Sequence, residues 1–237
     1  MARTAVISGV GSGLGASLAI KFADEGYDTA LLARSPDFIT SLAQQLREAG
    51  RDSLAISADI TDPAQVGDAF ARVRAELGEV EVLINQAGNA AWGDFDGLTA
   101  AEFERSWRVC ALGSFLCSKE VSGPMAERGS GTILFTGATS SIRGRGGAAA
   151  FSSAKFAVRG LAWSLARELW PRGVHVAHVI IDGLLDTPKL REAGVDADEP
   201  VMDTDAVAEA YWSLASQKPG AWTFEIDLRA HREDFFG

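Results

Sequence analysis

The stretch Val6-Ile7-Ser8-Gly9-Val10-Gly11-Ser12-Gly13-Leu14-Gly15 constrains the fold of this chain more than any other. Ala5-Val6-Ile7 is an apolar run of strand length with a β-branched bias. Glycine recurs at every second position from Gly9 to Gly15; a helical pattern then runs through Leu14, Leu18, Ala19 and Phe22 and stops at Gly26. Strand, glycine loop and helix together form the context in which such a loop binds a nucleotide. Without Cβ atoms the backbone approaches a pyrophosphate closely, and the helix N-terminus offers unpaired N–H groups and a partial positive charge. A flexible turn between two elements is the plainer alternative, and the downstream pattern weighs against it.

With 237 residues, 47% of them hydrophobic, the chain can bury a substantial core. A net charge of -10 argues against nonspecific binding to nucleic acid or to an anionic membrane. Cys110 and Cys117 lie seven residues apart in one helical pattern, which suits two thiols on one helix face rather than a disulfide framework or a metal site. His175 and His178 fall inside a strand-like run, so no metal site is expected. With no signal pattern and no long uncharged apolar span, the expected location is cytoplasmic.

Strand and helix patterns then alternate. Thr29–Leu32 reads as a second strand, and Ser35-Pro36 opens a helix to about Ala49 that Gly50 stops. Ser53–Ser57 is a third strand, Asp62-Pro63 opens a helix ending at Gly78, and Glu81–Ile84 is a buried-type strand. The capping box Thr99-x-x-Glu102 starts a long helical stretch to about Arg128, with an irregularity expected at Gly123-Pro124. Thr132–Phe135, Val174–Ile181 and Thr223–Leu228 complete the strands, with helices at Ala149–Trp170 and Thr204–Ser216. Such alternation predicts an α/β fold: a doubly wound parallel sheet with right-handed crossovers. With no linker, repeat or low-complexity tail in the sequence, one domain over 1–237 is expected.

The ordered set Ser8-Gly9-x-x-x-Gly13-x-Gly15, Asp59, Asn85-x-Ala87-Gly88, Lys155 and Asp182-Gly183-x-x-x-Thr187 resembles the short-chain dehydrogenase/reductase family. The resemblance implies a seven-stranded Rossmann-type sheet with helices on both faces, and a nicotinamide dinucleotide. It further implies hydride transfer to or from the carbonyl of a small-molecule substrate. A homodimer or homotetramer would be built through the two long helices, here around 103–128 and 149–170. Carried over by position, Ser8, Gly9, Gly11, Ser12, Gly13 and Leu14 hold the pyrophosphate, and Asp59 and Ile60 contact the adenine. Asn85, Ala87 and Gly88 pack beside the adenosine ribose. Lys155 bonds the nicotinamide ribose, and Thr187, beyond the Gly183 turn, falls where the family binds the carboxamide. Asp182 stands where the family usually has proline.

The second strand ends in Ala33-Arg34-Ser35, where a carboxylate would favour NAD(H). A guanidinium pairs with a 2′-phosphate instead, and a serine adds a hydroxyl donor, so NADP(H) is preferred over NAD(H).

The family's chemistry rests on asparagine, serine, tyrosine and lysine. The corresponding positions here hold Cys110, Ala138, Phe151 and Lys155. Only the lysine remains. Its ammonium can donate a proton or stabilise an alkoxide, or can serve the ribose alone. Thr139 and Ser140 are the nearest hydroxyls to the vacated serine position, while Tyr27 and Tyr211 fall far from it in sequence. For Trp92 core packing competes with a lid, and for Arg143 and Arg145 a solvated loop competes with substrate contact. An NADP(H)-dependent oxidoreductase of divergent mechanism is the leading expectation. The alternatives are a catalytically inactive NADP(H) sensor or assembly subunit, and a non-redox enzyme using Lys155 or Thr139.

Overall fold

The computed structural model describes residues 3–194 and 199–233. Strands β1 (Arg3–Ser8), β2 (Tyr27–Ala33), β3 (Ser53–Ser57), β4 (Val80–Asn85), β5 (Gly131–Thr136) and β6 (Val174–Asp182) alternate with helices. The helices are α1 (Leu14–Asp24), α2 (Pro36–Glu48), α3 (Pro63–Glu76), α4 (Ala100–Trp107), α5 (Gly113–Arg128) and α6 (Ala149–Leu169). Beyond β6 come β7 (Leu184–Leu185), α7 (Pro188–Glu192), β8 (Val201–Met202), α8 (Thr204–Ala215) and β9 (Glu225–Arg229). The main sheet has seven parallel strands in the order β3-β2-β1-β4-β5-β6-β9.

Parallel pairing needs a crossover after each strand, so helices cover both faces and the strands are buried on both sides. Alternation along β1 and β4 shows it. Val6 and Leu83 join one core with α3, α5 and α6; Ala5, Ile7, Val82 and Ile84 join the other with α1, α2 and α8. Cys110 and Cys117 are free thiols buried in the first of these cores, and burial pushes the Cys117 thiol up to about 12. No helix among the described residues is long and apolar enough to cross a membrane.

Two local features depart from the sequence expectation. The long helical stretch is irregular at Arg108–Leu112, a π-helical turn between α4 and α5, and α5 continues through Gly123-Pro124. A proline removes only one i→i−4 bond, and Gly123 has no Cβ to crowd its ring. The two-stranded β7–β8 pair and the single-turn α7 are too short to leave a periodic signal. Residues 195–198, in a stretch from Pro188 to Asp203 that is short and acidic in sequence, lie outside the described residues.

The outer strand is fastened by charge. Arg159 on α6 grips Glu225 on β9 through two bonds of 2.7 Å, and His178 on β6 shares the same carboxylate at 2.9 Å. Burial pushes His178 down to about 4, with Glu225 pulling the other way and Lys155 and Arg159 adding to the fall. The native imidazole therefore stays neutral while an unfolded one protonates near 6.5. Stability contributed at neutral pH is lost as pH falls from about 6.5 to 4, a loss on the order of 3 kcal/mol. Glu225, which burial raises but Arg159 and His178 together lower, adds to acid sensitivity in the same direction. Urea denaturation at pH 7 and pH 4.5 checks this, and His178→Gln is expected to narrow the difference between the two.

Candidate active site

Three cavities meet at the carboxyl edge of the sheet, where β1, β4, β5 and β6 end. The first is a cleft of about 430 Å³ that Gly9, Gly11, Ser12, Arg34, Asp59 and Ile60 help to line. Gly9 turns there with φ +89°, and a Cβ on it would collide with Ala87. A Cβ on Gly11 would meet nothing, so that side of the loop is open. No side chain caps α1; the Ala16 N–H is taken by the Gly13 carbonyl at 2.9 Å, which leaves the Leu14 and Gly15 N–H groups at the loop for an anion. The cradle fits a pyrophosphate. Ser35, Ala87 and Gly88 also line the cleft. Ser8, Leu14 and Asn85 do not: each is buried behind it. The Ser8 hydroxyl donates to the Ile84 carbonyl and the Asn85 amide to Ser118, so both brace β4.

The second cavity, of about 600 Å³, joins the first through Gly9 and Gly88 and carries Lys155, Phe151, Gly183 and Thr187 on its walls. Lys155 is buried, and its ammonium donates to the Thr136 carbonyl at 2.7 Å. Burial holds its pKa below the usual lysine range, with a small opposing pull from Cys110. The ammonium stands 5.6 Å from the Phe151 ring centroid. Thr187 caps α7 and presses its methyl group on the glycine loop: a Cβ on Gly13 would lie 2.7 Å from it.

A family model described as short chain dehydrogenase matches residues 3–197. The chain belongs to this family. A short-chain dehydrogenase/reductase of Armillaria gallica is 31% identical over 191 residues, covering 78% of this chain and 72% of the relative. The 3-ketodihydrosphingosine reductase of Bos taurus is 34% identical over 176 residues, 72% of this chain but only 53% of that longer relative. Among solved structures, a short-chain dehydrogenase from Rhodopseudomonas palustris superposes with TM-score 0.83 at 35% identity, covering 96% of this chain and 98% of that one.

The third cavity, of about 330 Å³, abuts the second along Ala138, Phe151, Ile181, Gly183 and Leu184. Its polar wall is built around Asp182, which is only 2% exposed. Thr139 donates its hydroxyl proton to one Asp182 oxygen; Arg143 reaches the other at 3.1 Å, joined there by Arg229 from β9. Ser140 accepts from Ser152 at 3.3 Å. The Thr139 and Ser140 hydroxyls are thus both engaged inside the protein. Glu233 lines the same cavity, its carboxyl raised by burial and then by the Asp182 charge.

Other residues fall differently from expectation. Arg143 is an ion-pair partner, not a solvated loop charge, because β6 places a buried carboxylate within its reach. Trp92 is 60% exposed and leans on Phe151 with ring centroids 5.6 Å apart, so it is not a core residue. Tyr211 is buried in the second core with its hydroxyl 2.7 Å from Thr136, on the far side of the Lys155 carbonyl partner. The hub on Asp182 was missed. Its partners come from residues 139, 143 and 229, and no local pattern joins them. Replacing Asp182→Asn leaves Arg229 and Arg143 without their shared charge. We expect a loss of about 3 kcal/mol in unfolding free energy by urea denaturation.

Proposed function

We propose that this protein is an NADP(H)-dependent oxidoreductase that moves a hydride between nicotinamide and the carbonyl or alcohol carbon of a small molecule. The observation that carries this is Lys155. It is a buried ammonium with a backbone partner, at the wall of a cavity continuous with the dinucleotide cleft. The cofactor, when bound, supplies or accepts the hydride. Ser12 and the glycine loop, with Ser8 and Leu14 behind it, hold the pyrophosphate; Asp59 and Ile60 flank the adenine. Ala87 and Gly88 set the ribose wall with Asn85 bracing it from behind, Gly183 and Thr187 receive the carboxamide, and Arg34 with Ser35 engages the 2′-phosphate.

For reduction, Lys155 gives a proton to the carbonyl oxygen as the hydride arrives, and water returns one to the amine. A lysine lowered by desolvation is a stronger acid than a free one, which suits this role. Phe151 stands where the family pattern has the tyrosine, and it contributes a ring and no proton. Thr139 and Ser140 shape the substrate wall: Thr139 gives its hydroxyl proton to Asp182, and Ser140 accepts from Ser152.

Oligomerisation is part of the proposal. Phe103 and Trp107 on α4, Phe115 on α5, and Phe156 and Trp163 on α6 are large apolar side chains each more than 40% exposed. Such a set favours a second copy of the chain over water.

Titration with NADPH and with NADH, followed by tryptophan quenching, tests the cofactor reading: NADPH binding tighter than NADH is expected, and no binding of either overturns it. In turnover of a ketone and quinone panel, Lys155→Met is expected to lower kcat by about a hundredfold or more, and full activity in that variant removes Lys155 from the chemistry. Cofactor binding without turnover would favour the sensor, for which the absent tyrosine is the motive. Sedimentation of Phe156→Glu is expected to shift the protein toward the monomer.

A further inference from the structure

Beyond the dinucleotide cleft lies another cavity, of about 350 Å³, which shares Arg34, Asp59 and Val109 with it. Its far wall is one face of α4 and the turn that follows. Ala101, Glu104, Arg105, Arg108 and Val109 recur at three- and four-residue spacing, so one helix stripe faces the adenosine end of the cleft. The capping box of Thr99 and Glu102 fixes where that stripe begins. Ala101 is small and leaves room in front of Arg105.

The charges on this wall are unevenly matched. Arg108 is tied down, 3.6 Å from Glu104 and donating to the Thr61 carbonyl at 3.3 Å. Asp59 accepts from the Thr61 N–H. Arg34 and Arg105 make no salt bridge and no side-chain hydrogen bond among the described residues. Glu102 feels Arg105 only at longer range and is bonded to Thr99. The chain carries 32 acidic against 22 basic residues. Arg34 and Arg105 offer two open guanidinium forks to this cavity, which the Asp59 and Glu104 carboxylates also line. Guanidinium forks suit a phosphate with several oxygens.

We propose that Arg105 on α4 is the second half of a phosphate clamp whose first half is Arg34, and that the two grip the 2′-phosphate of NADP(H) from opposite sides. This rests on the NADP(H) reading above and extends it: discrimination against NAD(H) is shared between the end of β2 and α4. Both arginines are exposed, so neither substitution disturbs the core.

Calorimetric titration of the full chain with NADPH, NADH and 2′,5′-ADP tests the clamp. Arg105→Gln is expected to weaken NADPH and 2′,5′-ADP by about tenfold while leaving NADH within about twofold. Arg172→Gln, which removes the same charge at the opposite end of the sheet just ahead of β6, is expected to change neither. Unchanged NADPH affinity in Arg105→Gln overturns the proposal, as does an equal loss for NADPH and NADH, which would mark a contact to the adenine. An equal effect of Arg172→Gln overturns it too, by showing general electrostatics. If the unsubstituted protein binds neither NADPH nor NADH, the cofactor reading itself falls. A loss on Arg34→Gln without one on Arg105→Gln keeps that reading and removes the clamp.

Discussion

The carboxyl edge of the sheet depends on how closely β1 and β4 approach one another where they end. The Gln86 N–H reaches the Ser8 carbonyl at 3.1 Å, and Gly9 lies against Ala87 with no space for a side chain between them. Gly9 also donates to the Leu32 carbonyl of β2 at 2.8 Å, so one residue ties three strand ends together. The chain crosses from one face of the sheet to the other about β1, because β2 and β4 flank it on opposite sides. Crevices form at such switch points. The close contact at Gly9 keeps the floor of this one thin enough for the cleft and the neighbouring cavity to be continuous.

Farther along the same edge the construction changes from backbone contact to charge. Asp182 ends β6, and the residues that neutralise it come from the loop after β5 and from β9. A carboxylate this deeply buried is tolerated only when it is paired and hydrogen-bonded, and here it is both. The Ala138–Arg143 loop therefore takes its position from β6. Lys155 is anchored one strand away, on the Thr136 carbonyl, while the hydroxyl of the same threonine is held by Gln86 and Tyr211. Ammonium, loop and cavity wall are thus referred to neighbouring strands of one rigid sheet.

Much of this was legible in the sequence. Strand and helix periods, the Thr99–Glu102 capping box and the glycine loop each depend on neighbours a few residues away. They located the parallel α/β sheet and the glycine loop at its edge, whereas Ser8, Leu14 and Asn85, read as cleft residues, lie buried behind it. What escaped depended on partners distant in sequence. Asp182 was visible as an unusual residue, but Arg143 and Arg229 are 39 and 47 positions from it, and only the β6–β9 register brings Arg229 alongside. The π-helical turn escaped for a different reason: it occupies only Arg108–Leu112, too few residues to show a period of its own between two α-helical stretches.

The two thiols carry a consequence of another kind. Cys110, in the π-helical turn, and Cys117, on α5, sit wholly buried in the layer where α3, α5 and α6 pack on the sheet, and the Cys117 sulfur resists ionisation because water does not reach it. The thiolate is the nucleophile that attacks a thiol reagent, so labelling of either residue must wait for this layer to part. The chain thereby contains its own reporter of breathing. The rate at which the sulfurs become modifiable under native conditions measures the free energy needed to separate the helical layer from the sheet, without any added probe or substitution.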